Sequence, residues 1–273
     1  LDETIFSNID IAFFFVSSEL SKKYIPYAQK QKIICIDNSS AFRMSNSLII
    51  PEINMIQNKE YIIANPNCST IILCMLLYPL SKISNIERVI VSTYQSISGA
   101  GYNGISEFKK QINDYNQDTK ISNLYFKSQC FNNVFSHDSD INILNGYNEE
   151  ELKIINETKK ILNNDKLKIT ATCIRVPVMR SHSESVTIKF LNSNITEEKI
   201  KNCLNKFNGI KVLDDRINNN FPEPIKSEYK NDILIGRIRK DISDENSFHF
   251  FISGDQLRKG AALNAMQIAE KLK

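Results

Sequence analysis

Residues 62–82, IIANPNCSTIILCMLLYPLSK, join a β-branched run to an Asn-Pro-Asn turn, a cysteine and a strongly apolar segment. Residues 68–82 have the length of a helix, and a helix apolar on nearly every side has to be buried. It is shorter than the roughly 18–20 apolar residues that a membrane span requires, as is every other apolar run in the chain. The segment therefore predicts a core helix, and no membrane partner is expected. A thiol at the junction of a strand and that helix is the question the rest of the chain has to answer.

The patterning on either side says what kind of core to expect. Upstream, β-rich runs at 9–16, 32–37, 47–54 and 60–65 alternate with polar or helical segments, including a helical stretch near 19–31. That rhythm predicts a parallel α/β sheet. From 88–95 onward the strands lengthen and crossovers thin out, with runs at 168–178, 183–191 and 247–253 and helices near 149–163 and 196–207. This predicts a mixed or antiparallel α+β domain. The last segment places Leu257, Ala261, Ala262, Ala265 and Ile268 on helical spacing, as a terminal helix returning to pack on the first domain would. A length of 273 residues accommodates two domains.

Composition narrows the function classes. Hydrophobic residues at 42% and charged residues at 24% describe a soluble globular protein. A net charge of +3 carried by scattered lysines gives no reason to expect a nucleic-acid partner. Six cysteines form no CxxC pair and three separated histidines complete no zinc pattern, so no metal is expected. With no signal peptide visible, the reading is a reduced, cytoplasmic compartment. The chain opens on Leu1 rather than Met and runs within ten residues into a strand, so a preceding segment is expected.

If Asn67 is near the helix N-cap, Cys68 lies in the first turn, where free backbone N–H groups and the positive end of the dipole favour a thiolate. Free cysteines are commonly buried and inert, and Cys74, Cys130, Cys173 and Cys203 are read that way. Cys68 differs because strand-to-helix junctions in open α/β sheets lie where ligands bind. A thiolate nucleophile needs a proton-transfer partner. His182 lies in a short connection between two strands, with Arg175 seven residues earlier; His249 sits in an aromatic strand and His137 in a polar loop. Arginine grips carboxylates bidentately and histidine moves protons near neutral pH. Glu150 and Lys153 at i, i+3 also suit a plain surface ion pair, and Arg43 in DNSSAFRM a solvated charge. The glycines of SISGAGYNG suit a tight turn approaching a cofactor, although no GxGxxG occurs.

Taken in order, DNSSAFRM, NPNCST, VSTYQSISGAG, EEELKIINETKKIL, RVPVMRSHSESV, IGRIRKD and GDQLRKGAALNAMQIAE resemble the aspartate-semialdehyde dehydrogenases over nearly the whole chain. MRSH looks most like the plant and chlamydial style of that family. The resemblance implies an N-terminally incomplete Rossmann-like NADP-binding domain of residues 1–67 and 253–273, and an α+β catalytic and dimerisation domain of residues 68–252. It implies that Cys68 is the nucleophile forming a thioester, His182 the general acid/base and Gln95 the residue orienting the acyl group. Arg175 would hold the substrate α-carboxylate and Glu150 its ammonium, with Arg43, Asn67 and Lys153 around the phosphate. Ser98, Gly99, Gln256 and, more loosely, Ser17 would contact NADP.

The implied reaction is reduction of aspartyl phosphate to aspartate semialdehyde with release of phosphate, in the biosynthesis of lysine, threonine, methionine and isoleucine, by a homodimer or homotetramer. The family's opening strand and glycine-rich turn are missing, and FFFVSSEL replaces a more glycine-rich stretch, which suggests a fragment of a longer protein. The alternatives are an N-acetyl-glutamyl-phosphate reductase-like enzyme, whose substrate lacks an ammonium for Glu150, and a truncated non-catalytic dimerisation or interaction chain.

Overall fold

A computed structural model describes residues 6–58, 60–192 and 194–272. The first layer runs β1 (Ile11–Phe14), α1 (Ser18–Lys30), β2 (Ile34–Asp37), β3 (Ser47–Leu48) and β4 (Ile62–Ala64). The four strands form a parallel sheet in the order β1-β2-β4-β3. Alternation along β2 and β4 sends Cys35 and Ile62 towards α1, and Ile36 and Ile63 to the opposite face.

The expected core helix is α2 (Cys68–Ser81), and it is buried all round: Ile71 through Leu77 are each 0% exposed. Beyond it come β5 (Ile86–Gln95), α3 (Gly101–Asn116), β6 (Phe135–Ser136), α4 (Glu149–Ile161), β7 (Lys168–Arg175), β8 (His182–Phe190), α5 (Glu197–Asn205), β9 (Ile210–Val212), α6 (Pro224–Ser227), β10 (Ile233–Lys240), β11 (Ser247–Gly254) and α7 (Leu263–Lys271). The later strands make a seven-stranded mixed sheet, β6-β7-β5-β8-β11-β10-β9, parallel at β5/β7 and β9/β10. The α2 helix packs on β5, β10 and β11 and against α4 and α5, and its core cluster extends to Leu48, Ile50 and Ala64 of the first layer. One apolar helix therefore joins the two sheets through a common core.

Register places the ends of the strands that matter. Gln95 on β5 pairs with Arg175 on β7, and His182 on β8 pairs with Gly254 on β11. A one-residue slip would turn each of these side chains to the opposite face.

The structure departs from the sequence expectations in several places. The 47–54 run is a strand only over Ser47–Leu48, because Pro51 opens a turn in which Asn54 Oδ1 accepts from the Ile50 N–H at 2.9 Å. The 9–16 run yields only Ile11–Phe14, with Phe15 and Val16 exposed. The 168–178 run stops at Arg175, two residues before Pro177. At the carboxyl end, Arg258–Ala262 form a π turn, with Gly260 N–H donating to Asp255 O at 3.2 Å. That turn rotates the expected face: Leu257 and Ala262 are exposed, while Gly260, Asn264, Ala265 and Ile268 point inward. Ala265 and Ile268 of α7 pack on Ile36, Ile49 and Ile63 of the first sheet.

Candidate active site

The start of α2, the carboxyl ends of β5 and β7, the start of α4 and the Arg258–Ala262 turn enclose a cavity of about 360 Å³. Cys68 lies in it at the first position of α2, capped by Asn67, whose Oδ1 accepts from Ser69 N–H at 3.0 Å and Thr70 N–H at 3.2 Å. The Asn67 Nδ2 donates to Glu150 Oε1 at 2.8 Å and its backbone N–H donates to Glu157 Oε2 at 2.7 Å, so α4 holds the turn that carries the thiol.

The surroundings of Cys68 in the free chain work against the expected thiolate. Burial first, then the Glu150 carboxylate, push the Cys68 thiol up to about 12, outweighing Arg43, the Ser69 N–H and Arg175, which pull the other way. The helix start does lower the value, but desolvation and a neighbouring anion count for more.

His182 is fully buried beside this cavity. Its Nδ1 accepts the Ser96 backbone N–H at 3.0 Å, so the proton of the neutral ring sits on Nε2, an atom with no protein partner. Burial, then the charge of Arg175, then His137, hold His182 well below the ordinary imidazole value. Gly99 leaves room for the ring, since a Cβ there would stand 2.8 Å from His182 Cε1 and 3.0 Å from Nε2.

Gln95 donates through Nε2 to Glu150 Oε1 and Thr93 Oγ1, both at 3.3 Å. Burial alone would raise the Glu150 carboxyl; His137, Lys153 at 3.7 Å and the Asn67 and Gln95 amides together hold it below its ordinary value. Arg43 donates to Glu157 Oε1 at 3.0 Å and to the Asn38 carbonyl at 2.8 Å. Arg175, 2% exposed, lies over the Phe126 ring and is held by Ser96, His137 and Asp138. Cys68, Gln95, Arg43, Asn67, Glu150 and Arg175 thus line one cavity, with Lys153 reaching it through Glu150.

Gln256 links the sequence-predicted cofactor contacts: Nε2 donates to Ser98 Oγ and Oε1 accepts the Ser181 N–H at 2.8 Å. Ser17 stands apart from them, exposed at the amino end of α1, where its Oγ accepts from Leu20 N–H at 3.4 Å. The residues present fit the nicotinamide end of a dinucleotide: Gly99 and Gln256 line the cavity beside Cys68, and Asn38, just beyond the carboxyl end of β2, lines it too. A pyrophosphate-receiving glycine turn is not provided by residues 1–98, which contain no glycine.

Sequence reasoning missed His137, Asp138 and Glu157. Glu157 had a signal, because it shares the buried stripe Glu150, Ile154, Glu157, Ile161 of α4, and a carboxylate on an apolar stripe needs a partner. His137 had none, lying in a long segment without periodicity. Among the described residues, no group of three His, Cys, Asp or Glu side chains is placed to hold a metal ion.

Comparison with known proteins puts a family on this geometry. Residues 77–259 match the family model described as semialdehyde dehydrogenase, dimerisation domain, and residues 1–61 the one described as semialdehyde dehydrogenase, NAD binding domain. The aspartate-semialdehyde dehydrogenase of Prochlorococcus marinus is 45% identical over 272 residues, covering 98% of this chain and 78% of that protein. That of Bacillus subtilis is 41% identical over 278 residues, covering 98% and 80%. Aspartate semialdehyde dehydrogenase II of Vibrio cholerae, solved alone and complexed with ASA, superposes with a TM-score of 0.93 at 36% identity, covering 98% of this chain and 80% of that one. With identity of this order over nearly the whole of this chain and both family models matched in sequence order, the chain belongs to the aspartate-semialdehyde dehydrogenase family of oxidoreductases.

Proposed function

We propose that the chain catalyses the NADP-dependent reductive dephosphorylation of L-aspartyl 4-phosphate to L-aspartate 4-semialdehyde through a thioester on Cys68. The observation that carries this reading is the placement of a thiol, an ammonium-seeking carboxylate and two guanidinium groups around one cavity. Arg175 binds the α-carboxylate and Glu150 the α-ammonium, which fixes the far end of the substrate and brings its β-carbonyl to Cys68. Pairing Glu150 with the incoming ammonium also removes the anion that raises the thiol, so substrate binding favours the nucleophile. The Cys68 sulfur attacks the carbonyl carbon and gives up its proton to the departing phosphate, which leaves towards Arg43 and Lys153, while Gln95 and the first amides of α2 steady the acyl oxygen. A bound nicotinamide would supply the hydride that reduces the thioester. His182 holds a proton on Nε2 and exchanges it with the oxygen and sulfur as the thiohemiacetal releases aldehyde.

The reading includes a division into residues 1–67 with 253–273, which bring Ser17 and Gln256 to the cofactor, and residues 68–252, which carry the chemistry and bring Ser98 and Gly99 to the same cofactor. It also includes a homodimer, supported by the family model that spans most of the seven-stranded sheet. The product is a precursor for lysine, threonine, methionine and isoleucine.

The deciding experiment runs the reaction in reverse. NADPH formation beyond one equivalent per site should require aspartate semialdehyde and phosphate together, and Cys68→Ala should abolish it. Aspartate semialdehyde and NADP without phosphate should leave an aspartyl mass increment on Cys68 alone. Turnover of the N-acetyl-glutamyl substrate in preference would refute the aspartyl assignment.

A further inference from the structure

Three groups converge on the Arg175 guanidinium. One terminal nitrogen donates to the Ser96 carbonyl at 2.9 Å; the other donates to Asp138 Oδ1 at 3.2 Å and lies 2.8 Å from His137 Nε2. An arginine nitrogen can only donate, so His137 Nε2 must offer a lone pair and the neutral ring must carry its proton on Nδ1. Ser139 Oγ, 3.1 Å from Nδ1, accepts that proton. The Ser139 backbone N–H also points at Nδ1, from 3.2 Å, and would suit the opposite tautomer. The Arg175 contact is shorter and carries a full charge, and a charge-assisted bond is about twice as strong as a neutral one, so it decides the tautomer.

The chemistry of the third partner matters because of what Arg175 has left to give. Asp138 already supplies one countercharge. A second carboxylate at position 137 would neutralise the guanidinium and leave little attraction for a ligand. An imidazole lone pair fixes the plane of the group without consuming its charge. The Arg175 Nε–H meets no protein partner, so a planar donor edge remains for an anion.

We propose that His137 is a positioning residue for substrate recognition: as a neutral acceptor it holds Arg175 in the plane in which the guanidinium receives the α-carboxylate of the amino-acid substrate. This rests on the reading of the cavity as an aspartate-semialdehyde site. A proton on Nε2 would set two donors against each other, so protonation of His137 releases Arg175 and weakens substrate binding. The groups facing His137 are Arg175 from β7, Glu150 and Lys153 from α4, His182 from β8, and Asp138 beside it in its own loop. Burial, Arg175 and Lys153 lower its titration below the ordinary imidazole value, against Glu150 and Asp138, so weakening is expected on the acid side of that value.

The test combines a spectroscopic signature with kinetics. The chain has three histidines, so loss of one imidazole signal in His137→Gln identifies that of His137, and loss of another in His249→Gln leaves the third to His182. Nitrogen-15 shifts should place the proton on Nδ1 in His137 and on Nε2 in His182. His137→Ala should raise KM for aspartate semialdehyde roughly tenfold, the value of one charge-assisted hydrogen bond, with kcat and the KM for phosphate changing by less than about threefold. His137→Gln offers Arg175 an amide oxygen and should restore KM to within about threefold while abolishing its rise at low pH. An Nε2–H tautomer in His137, or an unchanged acid limb in His137→Gln, would overturn the proposal even if the alanine variant does not fold. A wild-type chain with the Nδ1–H tautomer and no turnover of aspartate semialdehyde would refute the substrate assignment, and with it the carboxylate role, while leaving the His137–Arg175 pairing in place.

Discussion

At the scale of single residues, the site is governed by what burial does to ionisable groups. Cys68 has the position of an activated thiol but is held neutral in the free chain, with its titration pushed up to about 12 by burial and by Glu150. Glu150→Gln removes the negative neighbour, so more thiolate forms at a given pH. Alkylation of Cys68 by iodoacetamide at pH 8, followed by mass spectrometry, should be several-fold faster in that variant although its substrate binding is weaker. An equal or slower rate would show that Glu150 does not mask the thiol. Glu184 presents a second such case, a carboxyl fully buried on the same face of β8 as His182, with neither oxygen meeting a protein partner. Burial raises its pKa well above 4.5, so the folded chain keeps a proton that the unfolded chain releases. More protons bound in the folded state means that this group's contribution to stability falls as pH rises past its unfolded value. Glu184→Gln should flatten that decline and raise the melting temperature more at pH 8 than at pH 5, by about 2–4 °C per kcal/mol recovered in a chain of this size. A variant less stable at pH 8 than wild type would mean that the carboxylate is ionised and paired.

At the scale of elements, short connections place the catalytic groups. The Ile97–Ala100 turn brings Gly99 against His182, and Gly99→Ala would drive a methyl group to within 2.8 Å of the ring. Displacing the imidazole by about 1 Å costs on the order of a hundredfold, so kcat should fall by that much with the KM for phosphate little altered. An active Gly99→Ala would place His182 outside the chemistry. Some of these elements could be read from the sequence. The α2 helix was, because an apolar run bounded by Asn-Pro-Asn admits few other structures, and Cys68 and His182 came with their junctions. Helix α3 was not, because it begins at Gly101, where a φ of +76° requires glycine, and SISGAG reads as a turn. Strand β10 was obscured by Gly236 and by the charges of Arg237, Arg239 and Lys240, which break alternation where the ladder with β11 shifts register. His137 was beyond reach because its meaning arises from meeting Arg175 across the β6–β7 edge, and local pattern carries no trace of that meeting.

At the scale of the whole molecule, the seven-stranded sheet is unequally covered. Helices α2, α4 and α5 pack on one face, and the inward residues Val89, Val91, Val186 and Ile188 are buried there. The other face carries Ile90, 43% exposed at the middle of β5, which adjoins the central strand β8, together with the tilted pair Tyr94 and Phe251. An apolar residue at the centre of an uncovered sheet face calls for a partner. The matched dimerisation-domain description makes a second copy of this chain the reading to test, with the two sheets packed face to face. Sedimentation at tens of micromolar should then give about twice the 31.3 kDa chain mass. Ile90→Lys would bury an unpaired ammonium in each half of the interface. Leaving a buried charge unpaired costs roughly 2–5 kcal/mol, enough to weaken association at least thirtyfold. That variant should sediment as a monomer with an unchanged circular dichroism spectrum. Because residues of this chain already surround Cys68, it should also retain the iodoacetamide reactivity of that thiol. A wild-type monomer, or an Ile90→Lys dimer, would move the interface to another surface.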